Sequence, residues 1–188
     1  VGSEMCIRDS YDLEEPIAVN RPDTIVLGMG LATLRAAKGN VCLETGNVQG
    51  LILAGLLFDA GEIKSDNLLV IGNEGQKSED NGKNIYLSDL FFHVGGTDTD
   101  TPVSVKCCAT INSNHVVGDN FWVWRADHGD NVAWEKNEAE NGIIINGDDV
   151  TMYALMVEHF EQYQTVWNGD HGKVYMSVSY THLRAHET

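Results

Sequence analysis

The stretch NFWVWRADHG, residues 120–129, places two indoles, Trp122 and Trp124, one residue apart. On a strand that spacing sends both rings to the same face. Asp127 and His128 follow directly. Flat apolar faces bordered by hydrogen-bonding groups suit a sugar: rings cover its C–H faces, and Asp, Glu, Asn, His and Arg satisfy its hydroxyls. A second stretch, LMVEHF at 155–160, adds Glu158 and His159. Glycoside hydrolysis uses two carboxyl groups, one protonating the leaving oxygen and one acting as base or nucleophile. The protonated one needs a raised pKa, supplied by apolar walls or a nearby like charge. Glu158, set beside Trp124 and Met156, would have such walls. Trp134 and Trp167 are candidates for the rims of the cleft.

Each feature also has a plainer reading. Two rings one residue apart suit a packed sheet edge. Glu158 is equally a solvated glutamate at a strand end. Asp127, shortly before Gly129, can satisfy its own backbone in a turn, and Asp148 and Asp149 in NGDDV read first as turn residues.

Other chemistries find little support. GMGLATLRAAKG (28–39) has Gly28 and Gly30 but lacks dinucleotide-binding spacing and a βαβ setting. His93, His115, His128, His159 and His171 form no zinc motif. No EF-hand loop is present, although the many aspartates leave calcium open. Ser88 and Ser104 lack a nucleophile elbow. The reading therefore implies no cofactor and no metal. Cys6, Cys42, Cys107 and Cys108 make no metal or disulfide framework and read as free thiols; Cys107 and Cys108, being adjacent, should face opposite sides of a strand. The net charge of −16 argues against a nucleic-acid partner and against an anionic polymer, but is compatible with a neutral one. No run of apolar residues is long enough to span a membrane as a helix.

These groups need a frame. Helix signals are confined to LATLRAAKG (31–39) and weak spacing in 155–167. Elsewhere short β-prone runs are broken by Gly, Asn and Asp. The runs from Gly50, Asn84, His115 and Asp149 align at spacings of 34, 31 and 34 residues. Each holds a short strand, a polar or small bend, and a second alternating strand. NLLVIG, VSVKCCATI and GIIING lie between them. This predicts an all-β chain wound as a right-handed, single-stranded parallel β-helix, with a β-sandwich as the rival. In that register Leu56, Phe58, Leu90, Phe92, Phe121, Val123, Leu155 and Val157 fill the interior. Leu57, Phe91, Trp122 and Met156 form one outward column, and Asp59, His93, Trp124 and Glu158 form another.

The termini, VGSEMCIRDS (1–10) and SVSYTHLRAHET (177–188), resemble translated sequencing-adapter DNA and are expected to be non-native tails. The expected natural segment, 11–176, is then a partial β-helix domain of a longer protein, and the missing true N-terminus leaves nothing to read about a signal peptide. Across most of 17–175, and most specifically at NFWVWRADHG, VQGLILAGLLFDAG and GIIINGDDVTMYALMVEHFEQYQTVWNGDHGKVY, the chain resembles pectin-lyase-fold proteins related to the laminarinase-type β-1,3-glucanases, glycoside hydrolase family 55. The resemblance implies a secreted, extracellular bacterial parent that hydrolyses β-1,3-glucan with inversion. Its partners would be a neutral polysaccharide and the remaining coils of the same chain. Glu158 then matches a residue that positions or activates the attacking water, with Trp122, Trp124, Asp127, His128, His159 and Trp167 binding substrate. The general acid would be a glutamate in the next rung, after GKVYM (172–176), where the family pattern gives way; Glu187, in the tail, is no substitute. On that reading the chain as written hydrolyses nothing efficiently. Two alternatives stay open: a non-catalytic carbohydrate-binding β-helix, and a polysaccharide lyase, which needs a Lys or Arg base or calcium and has only Arg125 near the groove.

Overall fold

The computed structural model describes residues 9–76, 82–96, 101–129, 132–133 and 135–181. Within them the alternating runs fold into strands only. These are β1 (Ser10–Leu13), β2 (Ile17–Val19), β3 (Ile25–Ala36), β4 (Leu43–Thr45), β5 (Ile52–Asp59), β6 (Ser65–Ile71) and β7 (Ile85–Val94). They continue as β8 (Val105–Ile111), β9 (Val116–Arg125), β10 (Ala139–Ile145), β11 (Thr151–Glu158), β12 (Tyr163–Trp167) and β13 (Lys173–Tyr180). The odd strands form one sheet in chain order, and the even strands form the other. Each coil therefore gives one strand to each sheet and pairs in parallel with the coil before and after it. This is the right-handed parallel β-helix. A sandwich would need antiparallel pairs.

The predicted bend is a column of left-handed residues inside the odd strands. Gly55, Asp89, Asn120, Ala154 and Met176 have φ of 67°, 52°, 57°, 52° and 62°. Asn and Asp tolerate this region better than other side chains. Asn120 Nδ2 also donates to Asp89 Oδ1 at 2.6 Å, tying two corners together. After the corner the side chains alternate as expected. All eight predicted interior residues are at most 3% exposed. Phe58 and Phe92 stack at 4.9 Å, and Phe121 continues the column at 6.2 Å from Phe92. Leu69, Ile71, Ala109, Ile111, Ile143 and Ile145 face them from the even sheet. Each fully buried Phe, Leu or Ile stabilises by about 1.5–3 kcal/mol.

Three expectations are corrected. LATLRAAKG makes no helical turn: through Ala36 it is the second half of β3, because Leu34 and Ala36 alternate into the core. The 155–167 stretch is two strands, β11 and β12, separated by a turn. Cys107 and Cys108 face opposite sides of β8 as expected, but both are buried: Cys108 is in the core, and Cys107 Sγ lies against the Ala109 and Gly142 carbonyls. Burial pushes the Cys107 thiol up to about 11, although its hydrogen-bond partners pull it back. The coil path itself starts at β1, from Ser10, and β13 pairs with β11 as far as Tyr180.

A feature the sequence reading did not find lies where the even strands end. Asn168 Nδ2 donates to Asn146 Oδ1 at 2.7 Å, Asn146 Nδ2 to Asn112 Oδ1 at 2.8 Å, and Asn112 Nδ2 to the Gly72 carbonyl at 3.0 Å. This amide ladder links four successive turns.

Candidate active site

Strands β7, β9 and β11 are neighbours in the odd sheet. Pairing sets Phe91, Trp122 and Met156 side by side, and next to them His93, Trp124 and Glu158. Asp59 and Arg35 extend the second column across β5 and β3, and Tyr180 extends it across β13. Parallel pairing without slippage on these rungs makes sequence period and spatial neighbour the same thing.

The two indoles stack at 5.4 Å with 26° between their planes. Trp122 is part-buried, and its Nε1 donates to Glu158 Oε2 at 3.4 Å. Trp124 is only 7% exposed. Gly96 lies on it so closely that a Cβ there would stand 2.7 Å from the ring. His128 covers it from one side at 5.1 Å, and the His93 ring stands edge-on to both indoles. Trp124 is thus the back wall, and Trp122 carries the accessible face.

Polar groups converge beside the rings. His159 is 3% exposed, and its Nε2 lies 3.6 Å from Asp127 Oδ2 and 4.0 Å from Glu158 Oε2. One imidazole nitrogen therefore stands between two carboxylates. The ring is fixed by its backbone: His159 has φ of 71°, its N–H donates to the Tyr180 carbonyl at 2.6 Å, and its carbonyl accepts from Arg125 at 3.2 Å. Asp127 also meets His128 Nδ1 at 2.7 Å. Burial would raise the Asp127 carboxyl, but the His128 hydrogen bond and the charges of His159 and His128 outweigh it and hold it below its ordinary range. Asp59 behaves oppositely. Burial pushes it up to about 6, with Arg35 opposing only in part. Its Oδ1 lies 3.6 Å from His93 Nδ1.

The structure gathers six of the sequence-derived site residues, Trp122, Trp124, Asp127, His128, Glu158 and His159, and leaves out one. Trp167 lies on β12 in the even sheet, packed against the core and Gly172, with its indole nitrogen buried. It is removed because β12 ends a different face of the coil. Trp134 lies outside the described residues. Arg125 is fully buried: its guanidinium reaches the Asn137, Lys136 and His159 carbonyls and lies 3.1 Å from Glu161. It clamps two turns together and does not enter the groove. Asp148 and Asp149 sit in stacked turns, where Asp148 Oδ1 accepts from the Asp170 N–H. Among the described residues no His, Cys, Asp or Glu group could hold a metal ion. A trough of about 590 Å³ on the even sheet is lined by amides, hydroxyls and short aliphatic chains, among them Asn20, Thr110, Asn112 and Asn146, and by the carboxylates Glu44 and Glu74, with no aromatic ring.

Sequence reasoning did not place Tyr180 beside Glu158, although the 22-residue step from Asp149 to His171, repeated from Glu158, marks that position.

Comparison with known proteins follows the same lines. Residues 4–179 match the LAM55 pectate lyase-like domain. The chain is 37% identical over 177 residues to an exo-β-1,3-glucanase of Streptomyces sp. (strain SirexAA-E / ActE), covering 94% of this chain and 28% of that protein. The solved structure of sacteLam55A from Streptomyces sp. SirexAA-E superposes with a TM-score of 0.87 at 37% identity, over 92% of this chain and 31% of that one. A glutamate-to-alanine variant of the same enzyme, in complex with glucose, gives the same TM-score. The chain thus spans under a third of the length of these relatives. On the family match, the relative's identity and the shared coil, it belongs to the LAM55 pectate lyase-like domain family.

Proposed function

We propose that this chain contributes the water-activating wall of a β-1,3-glucan hydrolase that acts outside the cell, on a polymer too large to enter it. The observation that carries the reading is the contact of Trp122 Nε1 with Glu158 Oε2 at 3.4 Å, beside the stacked indoles. Trp122 offers a face to a sugar ring, and Glu158 stands at the ring's edge, where it can hold or deprotonate water. His159, between Glu158 and Asp127, orients the first and keeps it from turning away. The relative named an exo-β-1,3-glucanase and the glucose complex support the substrate class.

The second carboxyl group of such a mechanism belongs one coil further on. In this chain the position paired with Glu158 is Tyr180. A phenol is a much weaker acid than a carboxylic acid and protonates a leaving oxygen far less readily. The chain is therefore expected to bind laminarin but turn it over poorly, which is the behaviour of a carbohydrate-binding β-helix. The lyase reading loses its base, because Arg125 is engaged in the core.

Laminarin hydrolysis by Tyr180→Glu, with and without Glu158→Gln, tests the assignment. Tyr180→Glu should raise turnover, and Glu158→Gln in that background should lower it by about 10²–10⁴-fold with binding retained. Equal turnover with and without Glu158→Gln overturns the role given to Glu158.

A further inference from the structure

The geometry points to a second sugar-binding site in the same groove, a cavity that takes a neutral hexose unit of the glycan some three coils from Glu158. The inference rests on the glucan reading above. The cavity holds about 370 Å³ and is lined by Arg35, Asp59, Glu62, His93, Thr101 and Val103, among others. Small-molecule sites run from about 300 Å³ upward, so one sugar unit fits.

Register makes the cavity continuous with the indoles. Arg35, Asp59, His93, Trp124 and Glu158 follow one another on adjacent strands of one sheet. With about 4.8 Å between strands, Asp59 lies about 14 Å along the column from Glu158. His93, edge-on to Trp122 and Trp124 and also lining the cavity, is the shared wall.

The chemistry of the lining selects a neutral, hydroxyl-rich ligand. Arg35 is held by Asp12 through two hydrogen bonds, at 2.6 and 2.8 Å. Glu62 accepts from Thr101 at 2.7 Å, and Lys38 has Glu14 at 3.9 Å. The charges of the wall are thus compensated within it, leaving no cationic demand for an anion. Asp59 differs: its side chain lines the cavity at 20% exposure, with Oδ1 turned inward, 3.6 Å from His93 Nδ1 and without a hydrogen bond. A largely desolvated carboxylate short of donors gains when a hydroxyl donates to its exposed edge. Ala37, Ala60 and Ile63 supply apolar surface for the C–H face.

Calorimetric titration with laminaribiose and laminarihexaose at pH 7 tests this. The unaltered chain should bind the hexaose about tenfold more tightly than the biose, the scale of one hydrogen bond to a charged group. Asp59→Leu, which keeps the branched shape and removes the polar atoms, should abolish that gain, so that the hexaose binds no more tightly than the biose. Glu62→Leu, at the lip, should reduce it and serves if Asp59→Leu does not fold. Equal binding of the two lengths by the unaltered chain, or a gain that survives both substitutions, overturns the second site. Biose binding that still depends on Trp122, seen as loss in Trp122→Ala, would leave the glucan reading standing in that case. Absence of binding at either length overturns both.

Discussion

Asp59 gives the sharpest physical test of the groove. Its carboxyl is raised from the ordinary 3.8 to about 6, chiefly by burial, with Arg35 pulling it back only in part. The side chain is 20% exposed. The folded chain holds this proton more tightly than the unfolded chain does. Stability from the protonated form is therefore fully present below pH 3.8 and is lost as pH rises through 6. A difference of about two pKa units corresponds to about 3 kcal/mol. Asp59→Asn carries no such proton. Its stability relative to the unaltered chain should thus rise by about 3 kcal/mol between pH 4 and pH 7.5. Urea unfolding followed by tryptophan fluorescence across that range measures the difference, because Trp122 and Trp124 report from two coils away in the same sheet. The groups facing the carboxylate are Arg35 from β3 and His93 from β7, and Arg35→Gln in the same series should enlarge the effect. Two curves that run parallel from pH 4 to 7.5 would refute the argument and show that Asp59 is solvated when the chain is folded.

Two further outcomes are expected. Phe92→Ala should destabilise by about 3–5 kcal/mol in the same unfolding assay, because Phe92 lies between Phe58 and Phe121 and the void cannot close; a loss below about 1 kcal/mol would mean that the column is not packed. Arg125→Ala should cost about 3–5 kcal/mol, since it removes the buried guanidinium that donates to three backbone carbonyls and pairs with Glu161. Arg125→Met, which refills the space, should recover part of that loss, and equal losses in the two variants would show that packing contributes little there.

The amide ladder and the core column share the load in different ways. The phenylalanines stabilise by area removed from water. Asn168, Asn146 and Asn112 bond one another from turn to turn, and Asn112 ends the chain on the Gly72 backbone carbonyl. A turn asparagine is thus as much a part of the coil as an interior leucine, yet its spacing carries no hydrophobic signal. For the same reason it was invisible to a reading based on apolar periodicity.

The sequence by itself determined the winding and the outward columns. Side-chain direction in a strand repeats every two residues, and a coil repeats every 31 or 34, so Asp59, His93, Trp124 and Glu158 had to meet once the strands were parallel and in register. It also determined that Trp122 and Trp124 share a face. Tertiary structure alone decided which ring is open. Gly96 and the side chain of His128 lie on Trp124, and groups that pass over a coil follow no period. Alternation already pointed Arg125 inward with Phe121 and Val123, but tertiary structure alone supplied the Asn137, Lys136 and His159 carbonyls and Glu161 that hold its guanidinium there. It sent Trp167 to the other sheet, because a rim is defined by which face a turn leads to. Local alternation is a property of the chain and can be read along it; cover, clamping and cavity depend on segments distant in sequence, whose meeting only the folded coil fixes.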